Sequence, residues 1–240
     1  MSTYPRAQSE QRQADQACEL DQQSKLARHE LISAGRWIDA RGWCPATGGN
    51  FSIRLPERPL EDRSILGETS VSRCVVTASG RHKGELTEAD FLEVDLEGEP
   101  IDQDLSLRPS AETLVHVMLY KLSDEIGAVL HTHSIPNTVL SMIESSDQLS
   151  IKGFEMQKAL SGHHDHDTAI NIEIFDNTQD MRQLAQEIKE RWILRDGLKW
   201  ALLIRGHGIY VWGREIHETR RHLEGLEFLL SCVLELKKIS

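Results

Sequence analysis

The segment Gly127-Ala-Val-Leu-His-Thr-His133 constrains this chain more than any other. Apolar residues lead straight into a pair of histidines, His131 and His133. The run reads as a buried strand, and side chains two apart on a strand share a face, about 6.6–7 Å apart along it. The fold must therefore carry a strand through its core and end it at a polar site. Two unpaired imidazoles on that face would be costly to bury. A metal ion between them would engage both, whereas a satisfied core role is the plainer alternative, and the pair alone leaves the two open. His207 in Arg205-Gly-His-Gly208 strengthens the metal reading, because flanking glycines let the backbone turn and bring a ring close to a ligand. Three histidines from two segments would leave a fourth position for water or substrate, the pattern of catalytic rather than structural zinc.

Around this strand, helical and extended patterns mix irregularly. Ala27, Leu31, Ala34 and Ile38 put a helix over 25–41, ended by Gly42. Short strands are expected at 51–55, 73–77, 91–95, 128–133, 170–174, 200–205 and 209–212. Further helices are expected from Ser110, from Pro136 to about Ile143, over 153–160, over 181–192 and over 215–237. Pro56 to Ser72 is polar and reads as a surface excursion. There is no internal repeat and no linker, so 25–240 is expected to be one α/β domain of three layers with a mostly antiparallel sheet. Residues 1–24 are polar and Gln-rich, lack an apolar signal core, and are expected to be a disordered lead-in.

The net charge of −11 argues against general nucleic-acid or acidic-membrane binding, though a local basic pocket can still take a small anion. No apolar run approaches the roughly 20 residues that span a bilayer. Cys18, Cys44, Cys74 and Cys232 are scattered, with no C-x-x-C pair, which suits a reducing cytoplasm. Cys44 adjoins a Gly-rich loop but reads as packing.

Three loops offer backbone amides and small donors: Thr47-Gly-Gly-Asn50, Thr77-Ala-Ser-Gly80 and Pro109-Ser110. Each alone is an ordinary turn. Together they can converge on a phosphate, with Ser110 at a helix N-terminus that favours an anion and Lys83 adding positive charge. Two carboxylates are candidates for acid/base work. Glu112 lies beside the Ser110 loop, and Glu155 lies in the apolar setting Gly153-Phe-Glu-Met-Gln157. Partial burial would raise either toward neutrality. His163, His164 and His166 form a rival cluster in a polar loop, read as solvated, with adventitious metal capture or a fourth ligand of a structural zinc as its other uses.

Taken in order, Thr47-Gly-Gly-Asn50, Thr77-Ala-Ser-Gly80, Pro109-Ser-Ala-Glu112, His131-Thr-His133 and Gly206-His-Gly208 resemble the class II sugar-phosphate aldolase/epimerase superfamily over nearly all of the chain after Lys25. Gly153-Phe-Glu-Met-Gln-Lys158, Ser79-Gly-Arg-His-Lys83 and Arg205-Gly-His-Gly-Ile-Tyr-Val-Trp-Gly213 are similar to the methylthioribulose-1-phosphate dehydratases within it. The resemblance implies an α/β/α domain and a homotetramer with sites between subunits. It implies one zinc ion per subunit on His131, His133 and His207, and phosphate near Gly49, Asn50, Ser79, Gly80 and Ser110. It implies Glu155 as first-choice acid/base, with Glu112 second. The activity implied is dehydration of a ketose 1-phosphate in methionine salvage. Fuculose- or rhamnulose-phosphate aldolase, ribulose-phosphate 4-epimerase and a non-catalytic adducin-like scaffold are the alternatives. Ala111 stands where the aldolases have a second serine, and no tyrosine follows Tyr210, both of which lean away from aldol cleavage.

Overall fold

The computed structural model of the protein describes residues 4–59, 70–101 and 106–239. Helix α1 (Tyr4–Asp39) leads into strands β1 (Asn50–Pro59), β2 (Ser70–Thr77) and β3 (Phe91–Asp95), then helix α2 (Thr113–Leu122). Strand β4 (Ala128–Thr132), helix α3 (Ile135–Ile143), and strands β5 (Gln148–Ile151) and β6 (Ile170–Phe175) follow. Helix α4 (Met181–Leu194), strands β7 (Ala201–Ile204) and β8 (Gly208–Gly213), and helix α5 (Ile216–Ile239) complete the order. The strands form one sheet in the order β3-β2-β1-β4-β8-β7-β6-β5, antiparallel throughout except for β6 beside β7.

Strand alternation divides the core in two. Ala128 and Leu130 of β4, Ile209 and Val211 of β8, and Ala201 and Leu203 of β7 face a cluster completed by α1, α3 and α5. Val129, Tyr210, Trp212, Leu202 and Ile204 face the opposite cluster, completed by α2 and α4. Both faces of the central strands are covered, which explains why β4, β7 and β8 read as nearly unbroken apolar runs. The α1 stripe of Ala27, Leu31, Ala34 and Ile38 is buried as its spacing predicts. The three layers and the mostly antiparallel sheet expected from the sequence are both present. Among the described residues no helix is long and apolar enough to cross a membrane.

Several expectations need correction. Helix α1 extends back through the lead-in to Tyr4, well before the expected start at residue 25. Residues 6–34 contain neither Gly nor Pro and are rich in Ala, Gln, Glu and Arg, which favour helix, and Pro5 sits in the first turn, where its missing N–H costs nothing. The 56–72 excursion is shorter than expected, since β1 runs to Pro59 and β2 starts at Ser70; the rest of it lies outside the described residues. Helix α2 begins at Thr113, with Ser110 in the preceding turn and Glu112 at the N-cap. The 153–160 segment is a short 3-10 helix, Glu155–Ala159. Strand β5 was not expected.

Candidate metal centre

Hydrogen-bond register puts three residues of the site in one row across the sheet. Asn50 of β1 pairs with His131 of β4, which pairs with Tyr210 of β8. Directly opposed residues share a face, so these side chains line up on the α2 side. The His131 Nδ1–H donates to the Ile209 carbonyl at 2.9 Å, which leaves the Nε2 lone pair free to bind a metal. The ring stacks on Tyr210, with centroids 3.9 Å apart and planes 11° apart.

His133 lies one residue past β4, where its backbone N–H donates to the Trp43 carbonyl at 2.8 Å. His207 sits in the turn between β7 and β8, held by Thr138 Oγ1 donating to its carbonyl at 3.1 Å and Gly206 N–H donating to Ser141 Oγ at 2.9 Å. Helix α3 thus clamps this turn. Gly208 is needed here because a Cβ would lie 2.3 Å from the Thr132 carbonyl oxygen and 2.8 Å from the His133 ring.

Four donor atoms converge. The Nε2 atoms of His131 and His133 are 2.8 Å apart, and those of His131 and His207 are 3.4 Å apart. Glu112 Oε1 lies 3.0 Å from His207 Nε2 and 3.8 Å from His131 Nε2. All four atoms fall within 4.8 Å of one another, and they form the one group of this kind among the described residues. Ligands about 2.0–2.1 Å from a tetrahedral zinc ion lie about 3.3 Å apart, so the set fits that ion. Burial pushes the His131 imidazole well below its ordinary range, with His133 adding to the effect, and takes His133 down to about 4. Both rings are therefore neutral, the ligating form. Burial alone would raise the Glu112 carboxyl, but His207, His131 and Asn50 outweigh it and hold the group well below the usual carboxylate range.

The other expected residues divide into three groups. Asn50 and Ser110 turn toward Glu112: Asn50 Nδ2 donates to Oε2, and Ser110 Oγ lies 3.4 Å from the same oxygen. Gly49 lies behind the ligand strand at φ 77°, and a Cβ there would meet the His131 carbonyl oxygen at 2.4 Å. Lys83 is 1% exposed and donates to the carbonyls of Thr47 at 2.9 Å and Arg81 at 2.6 Å. Among the described residues no carboxylate pairs with it; burial lowers its pKa, while Cys44 and Glu112 oppose that. Ser79 lines a surface cavity of about 370 Å³ together with Arg81, Ser106 and Arg108, two of them cations the sequence reading missed. Gly80 adjoins it at φ 73°.

Glu155 stands apart from the four donors. Its side chain is 75% exposed and pairs with Lys158 at 2.7 Å, and that lysine lowers its pKa. Of the rival histidines, His163 contacts Gln157 at 3.1 Å and packs edge-on to Trp200, while His166 lies near Glu155 and Asp167. Among the described residues neither joins a metal-binding group, and the side chain that completes the cluster of three imidazoles is Glu112 rather than a histidine of that loop. Cys44 is buried against the His131 backbone, and burial pushes its thiol up to about 12, which makes it packing. Sequence reading also missed His116, which is fully buried behind Asn50.

Comparison with known proteins identifies the family. Residues 29–234 match the class II aldolase and adducin N-terminal domain model. A methylthioribulose-1-phosphate dehydratase of Serratia proteamaculans (strain 568) is 47% identical over 205 residues, covering 85% of this chain and 92% of that one. One of Yersinia enterocolitica is 47% identical over 207 residues, covering 85% and 90%. Among solved structures, the L-fuculose-1-phosphate aldolase of Thermus thermophilus superposes with a TM-score of 0.66 at 23% identity, over 90% of this chain and 99% of that one. A sugar-phosphate aldolase of Thermotoga maritima gives 0.65 at 18%, over 90% and 97%. At such identities the superpositions speak for the fold alone. By sequence and by architecture, this chain belongs to the class II aldolase and adducin N-terminal domain family.

Proposed function

We propose that this protein is a zinc-dependent hydro-lyase that converts 5-methylthioribulose 1-phosphate to 2,3-diketo-5-methylthiopentyl 1-phosphate, a step of methionine salvage. The observation that carries this reading is the convergence of His131, His133, His207 and Glu112 in a chain 47% identical to dehydratases over most of both lengths. A zinc ion held by the three histidines would supply Lewis acidity toward the C2 carbonyl of the ketose. Glu112 acts as the base: its Oε2 is held by Asn50, and its Oε1 faces the imidazoles. The C3–H bond breaks with the proton passing to Glu112, and the C4–O bond breaks as Glu112 returns that proton to the leaving hydroxyl, which departs as water and leaves the carboxylate ionised again. The resulting enol tautomerises to the diketone, so no redox partner is needed.

Lys83 suits the phosphate because it is a buried cation whose hydrogen bonds, among the described residues, go to backbone carbonyls rather than to a carboxylate. The Gly49–Asn50, Ser79–Gly80 and Ser110 turns are proposed to supply the remaining phosphate contacts. Binding energy from that group would fix the reacting carbons in place. Glu155, first choice from the sequence, becomes second here, because it is exposed and tied to Lys158. It would act at the centre only after changing partners, or from a neighbouring copy of the chain. A homotetramer is the proposed assembly; Phe154, Phe228, Leu236 and Ile239 line an open apolar depression that suits contact between copies. The free cysteines fit a cytoplasmic setting.

The test is turnover of 5-methylthioribulose 1-phosphate by the zinc-loaded protein with product analysis. A single diketone phosphate supports the proposal; two fragments would make the protein an aldolase, and no turnover would remove the activity. Glu112→Gln should lower kcat by about 10²–10⁴. If Glu155→Gln does so instead, the two carboxylates exchange roles.

A further inference from the structure

Behind Glu112 runs a chain of hydrogen bonds that the chemistry above does not use. Glu112, His116 and Tyr120 follow at four-residue intervals, which places them on one face of α2 and its N-cap. Asn50 and Ser52 are two apart on β1 and share one face of that strand. The two series interleave. Tyr120 OH lies 2.7 Å from Ser52 Oγ, and Ser52 Oγ lies 2.7 Å from His116 Nδ1. His116 Nε2 lies 2.5 Å from Asn50 Oδ1, and Asn50 Nδ2 reaches Glu112 Oε2. Ser52 and His116 are fully buried, Tyr120 is 1% exposed and Asn50 3%.

The carboxylate sets the direction of every bond. An ionised Glu112 only accepts, so the Asn50 carboxamide must present N–H to it and turn its carbonyl to His116. That carbonyl needs a donor, which requires His116 to carry its proton on Nε2. His116 Nδ1 is then an acceptor that takes the Ser52 hydroxyl proton, and Ser52 accepts from Tyr120. Each donor in the chain points toward Glu112, and such aligned bonds polarise one another. A carboxamide rotated by half a turn would oppose two acceptors at Glu112 and break the sequence of bonds.

From this geometry we infer that His116 is a positioning residue: it locks the Asn50 carboxamide with N–H toward Glu112, aiming the other Glu112 oxygen at the imidazole cluster. The inference rests on Glu112 as the working carboxylate. It predicts that outer partners of this kind change metal affinity or activity by about 10–100-fold when lost.

The first test is independent of any reaction. Nitrogen-15 NMR of the full-length protein with labelled histidine should show His116 as the Nε2–H tautomer with Nδ1 accepting a hydrogen bond. An Nδ1–H tautomer would overturn the inference. The second test compares His116→Asn, which keeps a polar group facing Ser52 but cannot reach Asn50, with His116→Gln, which can place an N–H near the original Nε2. Zinc affinity is read by competition with a chromophoric chelator, and kcat and KM with the phosphorylated ketose. His116→Asn should lower zinc affinity or kcat by about 10–100-fold with KM little changed, and His116→Gln should recover most of the loss. Added to Glu112→Gln, His116→Asn should cost little more, because the two act as one unit. Wild-type zinc affinity and kcat in His116→Asn, or an equal cost in the Glu112→Gln background, would overturn the inference. Should the wild-type protein not turn over this substrate, the proposed reaction falls, while the tautomer and the zinc-affinity cycle still decide the role of His116.

Discussion

Glu227 offers a quantitative test of how burial competes with hydrogen bonding beside the centre. It sits on α5 at 2% exposure and accepts from Ser134 Oγ at 2.6 Å, Asn137 Nδ2 at 3.0 Å and Thr132 Oγ1 at 3.3 Å. Burial raises its pKa from 4.5 to about 7 against the pull of those three donors. Below pH 4.5 the carboxyl is protonated in both folded and unfolded chains and has no effect on the pH dependence. Between 4.5 and about 7 the unfolded chain releases the proton while the folded one keeps it, so stability falls as pH rises. The full cost of about 3 kcal/mol is reached above pH 7. Urea unfolding of the wild type and Glu227→Gln at pH 4.5, 6, 7 and 8 reads this directly. His131 and His133 also titrate across this range, but they are common to both proteins and cancel in the difference. The wild type should lose about 3 kcal/mol relative to the variant across the interval and then level off. A flat difference would refute the reasoning. It would mean that the three donors, with the N-terminus of α3 beside them, keep Glu227 ionised in the folded state.

Three further outcomes are expected. Gly208→Ala forces a Cβ against the Thr132 carbonyl and the His133 ring, so it should cost about 1–3 kcal/mol in unfolding free energy and weaken zinc binding; an unchanged zinc affinity would show that the turn yields freely. Lys83→Met should raise KM for the phosphorylated ketose by about 10–150-fold, the worth of one charged hydrogen bond, and an unchanged KM would place the phosphate elsewhere. Zinc at 1,000 times its dissociation constant should stabilise the wild type by about 4 kcal/mol in thermal or urea unfolding. That gain should be largely lost in His131→Ala, and a gain of equal size in the variant would move the metal to another site.

What the sequence reveals depends on how local the signal is. β4 and β8 were visible because both faces are buried and apolar, and α1 because its stripe keeps helical spacing. β5 was hidden: Gln148-Leu-Ser-Ile151 is a four-residue strand at the edge of the sheet, too short for a clear period. The histidine set was legible because two of its members share a strand end and the third sits between glycines. Which of Glu112 and Glu155 lies beside the histidines was not, because an apolar neighbourhood in sequence says nothing about which way a side chain faces. Ser52 and His116 could not be paired from sequence, being 64 residues apart, although the four-residue spacing of Glu112, His116 and Tyr120 was available.

The strand order also carries a consequence for how the chain assembles. β8 is the last strand in sequence, yet it lies in the middle of the sheet, between β4 and β7. Without it, the remaining strands fall into two groups, β3-β2-β1-β4 and β7-β6-β5, each with its inner edge left unpaired. His207 stands just ahead of β8, so the strand that zips the halves together also delivers the third imidazole to His131 and His133. The third imidazole and the strand that joins the two halves of the sheet are thus contiguous in the chain, and a chain cut before His207 lacks both.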